Sequence, residues 1–329
     1  MRSVVRVGIP RALAFYDYGS LWMQFFAELN IQAVISPPTN RSIVDIGVRL
    51  ATDGTCLPVK TFYGHTAYLA SRSDLDWIFV PRIIGVRRRE FICPKFMGLP
   101  DLARHGVTGK GKGPRILAPK IDLRTGSWGT LLEIARMARS LGVNPMQAIA
   151  GYQRALAAYL EGRDRLEPRD QEANSLAKGS LSIGIIGHRY LIEDGYLSMD
   201  LVTKLRAMGV NPIIGDRLPQ DLIDVKAKSW PKEMYWRAGR IAFGSARAFL
   251  DAKPVPVNGV IYIAAFSCGT DSIIGELVER EMRRREMPFL AVNLDEHTGE
   301  AGMITRLEAF VDLIRWRKDT GEMHFSAHG

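Results

Sequence analysis

Along the chain, short β-branched runs alternate with stretches whose apolar residues recur at helical spacing. Val4–Ile9 predicts a strand, and Phe15–Leu29 predicts a helix with Trp22, Phe25, Phe26 and Leu29 on one side. Ala33–Ser36 reads as the next strand, closed by Pro37 and Pro38, and Asn40 stands where a helix reaching about Ala51 needs its cap. Pro58 suits the first turn of another helix ending near Ala70. Trp77–Val80 and Arg115–Ala118 supply further strands. Alternation of this kind predicts a parallel sheet covered by helices, here an N-terminal α/β domain over residues 1–125.

The pattern then changes and returns. Thr130–Leu141 and Pro145–Leu166 are helical, and the polar stretch Glu167–Lys178 follows, so residues 126–178 read as a helical connector. A second α/β domain is expected over 179–329. Its strands are Leu181–Ile186, Pro212–Gly215, Val257–Phe266 and Phe289–Asn293; its helices are Leu201–Met208, Ser272–Arg285 and a terminal Ala301–Trp316. Lys232–Leu250 forms an extra helix between early and late strands. The tail after Lys318 carries no periodicity and reads as frayed or as a partner contact. The halves look alike in kind, which hints at duplication, though no residue-level repeat is evident.

Composition narrows the function classes. The chain has 329 residues, 47% hydrophobic and 24% charged, the proportions of an ordinary globular protein. No apolar run approaches the ~18–20 residues of a membrane span, and the amino terminus reads as a strand rather than a signal peptide. A cytoplasmic protein is expected. The net charge of +9 owes much to Arg87–Arg89, Arg283–Arg285 and Arg315–Lys318. The latter two runs are interleaved with Glu279, Glu281, Glu286 and Asp312, which predicts self-paired helix faces rather than a nucleic-acid surface. No nucleic-acid-binding signature accompanies them. Gly106–Gly113 nearly fits a Walker A loop, but Gly113 replaces the Mg²⁺-binding hydroxyl and Pro114 opens a strand where a helix belongs. Asp17–Ser20 partly matches the phosphate hairpin of sugar-kinase-like ATPases without the second glycine-rich loop. No ATP site is expected.

Three cysteines remain, too few and too scattered for a secreted disulfide framework or for paired zinc knuckles. Cys56 precedes a helix directly, Cys93 lies on the long loop after the Trp77–Val80 strand, and Cys268 stands where a strong strand hands over to a helix. All three sit in turn chemistry beside Pro or Gly, not on apolar faces where cysteine serves as a small hydrophobe. A shared metal or cluster site is therefore expected, near helix termini that stabilise thiolates. Three thiolates suit an iron–sulfur cluster with one iron open. Zinc would want a histidine as well, and His65, His188 and His297 are available. Lys60, Arg82, Lys95 and His188 are candidates for groups that surround the thiolates and tune a cluster.

Several of these stretches resemble the acyl-CoA dehydratase activase-related family. They are Gly8-Ile-Pro-Arg-Ala-Leu13, Ser36-Pro-Pro-Thr-Asn40, Cys56-Leu-Pro-Val-Lys60, Gly64-His65, Val80-Pro-Arg82 and Cys93-Pro-Lys-Phe-Met-Gly-Leu-Pro100. Gly187-His-Arg-Tyr190, Cys268-Gly-Thr-Asp271 and the run Gly299–Phe310 continue the likeness to the last helix. Arg189 departs from the proline expected at that turn. The family is similar to the iron–sulfur subunits of 2-hydroxyacyl-CoA dehydratases and to double-cubane cluster proteins. That resemblance implies two flavodoxin-like parallel-sheet domains, with a cluster held at their junction by Cys56, Cys93 and Cys268. The cofactor it implies is a 4Fe-4S cluster, or one half or the whole of a double-cubane cluster.

The resulting expectation is an iron–sulfur component of an ATP-dependent low-potential reductase or 2-hydroxyacyl-CoA dehydratase-like complex. Its electrons would come from a separate ATP-hydrolysing iron–sulfur activase. Its partner would be a related cluster-bearing subunit or a second copy of itself, and its substrate an acyl-CoA or other small molecule. His188 is the one candidate for proton chemistry. The competing expectation is a non-catalytic scaffold or ligand-binding subunit whose cysteines are structural or hold zinc.

Overall fold

The computed structural model describes residues 4–108, 113–166, 181–230, 234–251 and 255–320. The polar stretch 167–178, the centre of the 106–113 loop and the tail beyond 320 lie outside them. The chain divides into two compact units, Met1–Leu166 with Tyr235–Arg237, and Glu167–Met234 with Ala238–Gly329.

The first unit runs β1 (Arg6–Ile9), α1 (Ala14–Glu28), β2 (Gln32–Ile35), α2 (Arg41–Leu50), α3 (Leu57–Ala70), β3 (Trp77–Phe79) and β4 (Arg82–Gly85). It continues through α4 (Pro94–Ala103), β5 (Arg115–Leu117), β6 (Lys120–Asp122), α5 (Trp128–Ser140) and α6 (Pro145–Leu166). The main sheet has the order β2-β1-β3-β5, all parallel, and β4 and β6 form a small parallel pair beside it. The Asn40 side chain accepts from the Ile43 N–H and caps α2 as the sequence predicts. Helices α2 and α3 touch closely at two glycines: a Cβ at Gly64 would stand 1.9 Å from the Ile43 carbonyl oxygen, and one at Gly47 1.9 Å from that of Lys60.

The core of this unit is aromatic. Trp22 and Phe26 of α1 meet Phe79 of β3 with ring centroids 4.9 and 5.2 Å apart, and Phe25 meets Tyr152 of α6 edge-on. Ile134, Met137 and Ala138 of α5 and Ala148, Tyr152 and Ala155 of α6 are buried in the same cluster as Val7 and Ile9. The helices read from sequence as a connector thus supply one layer of the first core.

The second unit runs β7 (Leu181–Gly187), α7 (Arg189–Ile192), α8 (Leu201–Ala207), β8 (Val210–Ile214), α9 (Gln220–Ala227) and α10 (Arg237–Leu250). Then come β9 (Gly259–Ala265), α11 (Gly269–Arg284), β10 (Phe289–Leu294) and α12 (Glu300–Thr320). Its parallel sheet has the order β10-β9-β7-β8. Every residue of β9 is buried, as a central parallel strand covered on both faces should be. Helix α11 presents Ile274, Val278 and Met282 to the core at four-residue spacing. Its charged side pairs internally, Arg283 with Glu279 at 2.5 Å and Arg284 with Glu281 at 3.3 Å. Arg315 of α12 likewise pairs with Asp312 at 3.2 Å.

In each sheet the strands, counted in order of appearance, stand 2-1-3-4. That is the flavodoxin-like arrangement, with its switch point between the first and third strands. The structure is α/β with two such parallel sheets. The short elements β4, β6, α7 and α9 were not read from sequence, and two further expectations differ. The segment after β4 carries helix α4, which Pro100 in its interior disguised. The extra helix starts at Arg237 rather than Lys232, because Trp236 is held extended by a parallel bridge to Phe91.

Candidate functional site

Each of the three cysteines turns out to be the residue immediately before a helix. Cys56 is the N-cap of α3, Cys93 of α4 and Cys268 of α11, and in none does the thiol bond to the helix N–H groups. None is in a disulfide. Their carbonyls take the first helical bonds instead, from Lys60 N at 3.1 Å, Phe96 N at 2.9 Å and Ser272 N at 3.0 Å. Proline occupies the first turn of α3 and of α4, where its missing N–H costs nothing. Cys56 and Cys268 are buried and Cys93 half-buried. Cys56 and Cys93 belong to the first unit and Cys268 to the second.

The Cys93 approach is pinned within the first unit. Phe91 N donates to Tyr235 O at 2.7 Å, and Arg237 N donates to Phe91 O at 2.9 Å. The Arg124 guanidinium lies over the Phe91 ring, 4.5 Å from its centroid. Arg82 bonds to the Met97 carbonyl and pairs with Asp101 at 2.7 Å, so it braces α4 from the side. Lys60 and Lys95 lie half-buried in the opening turns of α3 and α4.

His188 meets the Cys268 thiol. It follows β7 directly, and Cys268 follows β9 after Phe266 and Ser267. Strands β7 and β9 are hydrogen-bonded neighbours, with Gly187 opposite Ile263. The pair therefore sits at the carboxyl edge of the second sheet, at its switch point, where ligands gather in such folds. Gly187 makes the approach: a Cβ there would stand 2.4 Å from Ile263 Cγ2 and 2.5 Å from its carbonyl oxygen. Ser267, just before Cys268, takes a left-handed conformation with φ 63°, a strained setting for a residue with a side chain.

Asp271, three residues into α11, completes the cluster. His188 Nε2 is 3.8 Å from Cys268 Sγ and 3.2 Å from Asp271 Oδ1. The Tyr262 hydroxyl of β9 donates to the same Asp271 oxygen at 3.0 Å. The His188 ring stacks on Tyr190, 4.8 Å between centroids. Burial opposes a charged imidazole, but the Asp271 carboxylate beside it outweighs burial and raises the His188 pKa well above its ordinary value. Burial likewise works against the Asp271 carboxylate, yet His188 and the Tyr262 bond hold its pKa low. Burial, then the Asp271 charge, pushes the Tyr262 phenol well up.

Arg189 leaves the turn intact. It occupies the first position of α7, where proline is equally at home, and pairs with buried Asp216 at 2.7 Å. The other two histidines named from sequence have partners of their own. His65 is fully buried with both ring nitrogens engaged, Nδ1 by Ser36 Oγ at 2.9 Å and Nε2 by Thr39 Oγ1 at 3.0 Å. His297 is exposed and its N–H donates to Asp295. Asp271 was not singled out from sequence, because an acidic residue in the first turn of a helix is ordinary dipole chemistry. Its signal was the spacing Cys268-x-x-Asp271 after a buried strand.

Comparison with known proteins adds a family. No curated protein matches this chain. Two solved structures from Pseudomonas aeruginosa align over nearly all of it. The SBP FpvC in complex with a Ni²⁺ ion is 12% identical, with 98% of this chain and 100% of that one covered and a TM-score of 0.28. An FpvC mutant is 14% identical, with 94% and 99% covered and a TM-score of 0.26. Superpositions that poor carry no argument about fold or function. The family profile described as the CoA enzyme activase uncharacterised domain (DUF2229) matches residues 6–218, a span that contains Cys56, Cys93 and His188 and ends before Cys268. The chain belongs to that family of CoA enzyme activase domains.

Proposed function

We propose that the protein is the iron–sulfur-binding component of an ATP-dependent low-potential reductase or 2-hydroxyacyl-CoA dehydratase-like system, with Cys56, Cys93 and Cys268 as cluster ligands. The family relationship fits a dehydratase-activase-related role. The observation that carries the finer reading is that every cysteine of the chain is a helix N-cap whose thiol is not spent on capping. A helix amino terminus offers partial positive charge to an anion, so each position suits the negative cluster it would hold. The donor set fits: three thiols, outside any disulfide, and a fourth position left to substrate, water or a second cluster.

When bound, the cluster supplies one-electron transfer at low potential. The chain's own residues do the rest. Arg82 and the Phe91–Trp236 bridge hold the Cys93 segment in place, and Gly187 lets β7 deliver His188 to Cys268. His188 Nε2, within reach of both Cys268 Sγ and Asp271 Oδ1, is the group that would hold a proton beside the Cys268 sulfur. Electrons would arrive from a separate ATP-hydrolysing activase. A strongly reducing centre must be kept from water, so a related cluster-bearing subunit or a second copy of this chain is the expected cover, with an acyl-CoA or similar small molecule as substrate.

Anaerobic isolation followed by iron and acid-labile sulfide analysis tests this reading. Stoichiometric iron and sulfide support it. A protein that carries zinc or no metal under those conditions is instead a scaffold with structural or zinc-bound cysteines.

A further inference from the structure

The cluster at the switch point of the second sheet has a geometry of its own. In a catalytic relay the thiol and the carboxylate use opposite nitrogens of the imidazole. Here Cys268 Sγ and Asp271 Oδ1 both approach the same atom, His188 Nε2. Three donors of different chemistry thus converge on one region instead of lining up in a chain. All three donor atoms lie within 4.8 Å of one another.

Tetrahedral zinc bonds of about 2.0–2.3 Å place neighbouring nitrogen and oxygen ligands about 3.4 Å apart, and sulfur and nitrogen ligands about 3.6 Å apart. The separations from His188 Nε2 are 3.2 Å and 3.8 Å, and the sulfur lies within 4.8 Å of the carboxylate. The surroundings match a metal site as well. Tyr262 donates to Asp271 Oδ1 from the neighbouring strand, the kind of outer hydrogen bond that orients a ligating carboxylate. Asp271 Oδ2 is buried and meets no hydrogen-bond partner, a costly state for a carboxylate oxygen unless a cation compensates it.

We propose that Cys268, His188 and Asp271 form a mononuclear site for a first-row divalent cation, zinc being the best fit to one sulfur, one nitrogen and one oxygen donor. Three protein ligands leave the fourth position open. The site is complete within the second unit and needs neither Cys56 nor Cys93. It does not rest on the cluster reading: a single ion and a cluster would compete for Cys268 Sγ, so the site belongs to the protein without its cluster.

The test is cobalt titration of the full chain, reduced and stripped with chelator, because Co²⁺ reports its ligands optically where zinc is silent. One equivalent should bind, with a thiolate-to-cobalt charge-transfer band and the visible bands of a four-coordinate ion. A Cys56→Ser/Cys93→Ser double variant should keep both. Asp271→Asn should weaken binding by about tenfold or more, and Tyr262→Phe by about tenfold, the scale of losing an outer partner. Both changes are nearly isosteric, and the far-ultraviolet circular dichroism of each variant checks that it folds. Loss of cobalt binding in the double variant would overturn the proposal, as would an unchanged charge-transfer band in Cys268→Ser. Iron and sulfide analysis of the anaerobically isolated chain is a separate readout, so either idea can fail alone.

Discussion

Two histidines in this chain have opposite chemistry, set by what their ring nitrogens meet. His188 faces a carboxylate and gains charge, whereas His65 faces two hydroxyls and is kept neutral. Burial, helped by the nearby Arg11 charge, lowers the His65 pKa from 6.5 to about 3. The unfolded chain therefore binds a proton near pH 6.5 that the folded chain refuses until about pH 3. Stability from this group is complete above pH 6.5 and falls as the pH drops toward 3, by up to ~4–5 kcal/mol. Urea unfolding should lose about 2 kcal/mol between pH 7.5 and 5.0 through His65 alone. His65→Gln should remove that part of the pH dependence; an unchanged dependence in the variant would refute the assignment. The turns that carry the cysteines and His188 were visible in sequence because Pro and Gly mark them, and the structure puts each cysteine at a helix start. Asp271 was not, since its role depends on a neighbour 83 residues away in sequence, at position 188.

At the scale of elements, close approaches decide where the side chains go. Gly187→Ala sets a methyl group against both the backbone and the side chain of Ile263, so β7 must move away from β9. Overpacking of that kind costs about 1–3 kcal/mol. The shift would part His188 from Cys268, so the variant should fold with a lower thermal midpoint and bind Co²⁺ more weakly than the parent; equal affinity would show that the strand approach does not position the site. The strands of the two main sheets and most helices could be read from periodicity, while the short pair β4 and β6 could not, and Asn40 and Pro58 marked two helix starts to within a residue. Helix α4 could not, because an interior proline normally argues against a helix. The start of α10 could not either, because Trp236 is held extended by Phe91, far away in sequence. Helices α5 and α6 were visible as amphipathic, but which sheet they cover is a tertiary fact. Tyr152 reaches Phe25 and Trp22, and that places α6 in the first core.

The same strand order in both sheets agrees with the likeness of the two halves seen in sequence, although their residues do not repeat. On the cluster reading, a chain of this design works as part of an assembly. Under anaerobic conditions it should co-purify with a related cluster-bearing subunit or run as a dimer when its mass is measured in solution. A monomer that turns over substrate with a chemical reductant and no activase would contradict this. The cluster itself is the central claim, and its most direct measurement is iron and sulfide content of the anaerobically purified chain beside Cys268→Ser. The parent should hold stoichiometric iron and sulfide and the variant should lose them with its secondary structure unchanged, because the two cores carry the fold. Zinc or no metal in the parent, or full iron content in the variant, would contradict the account.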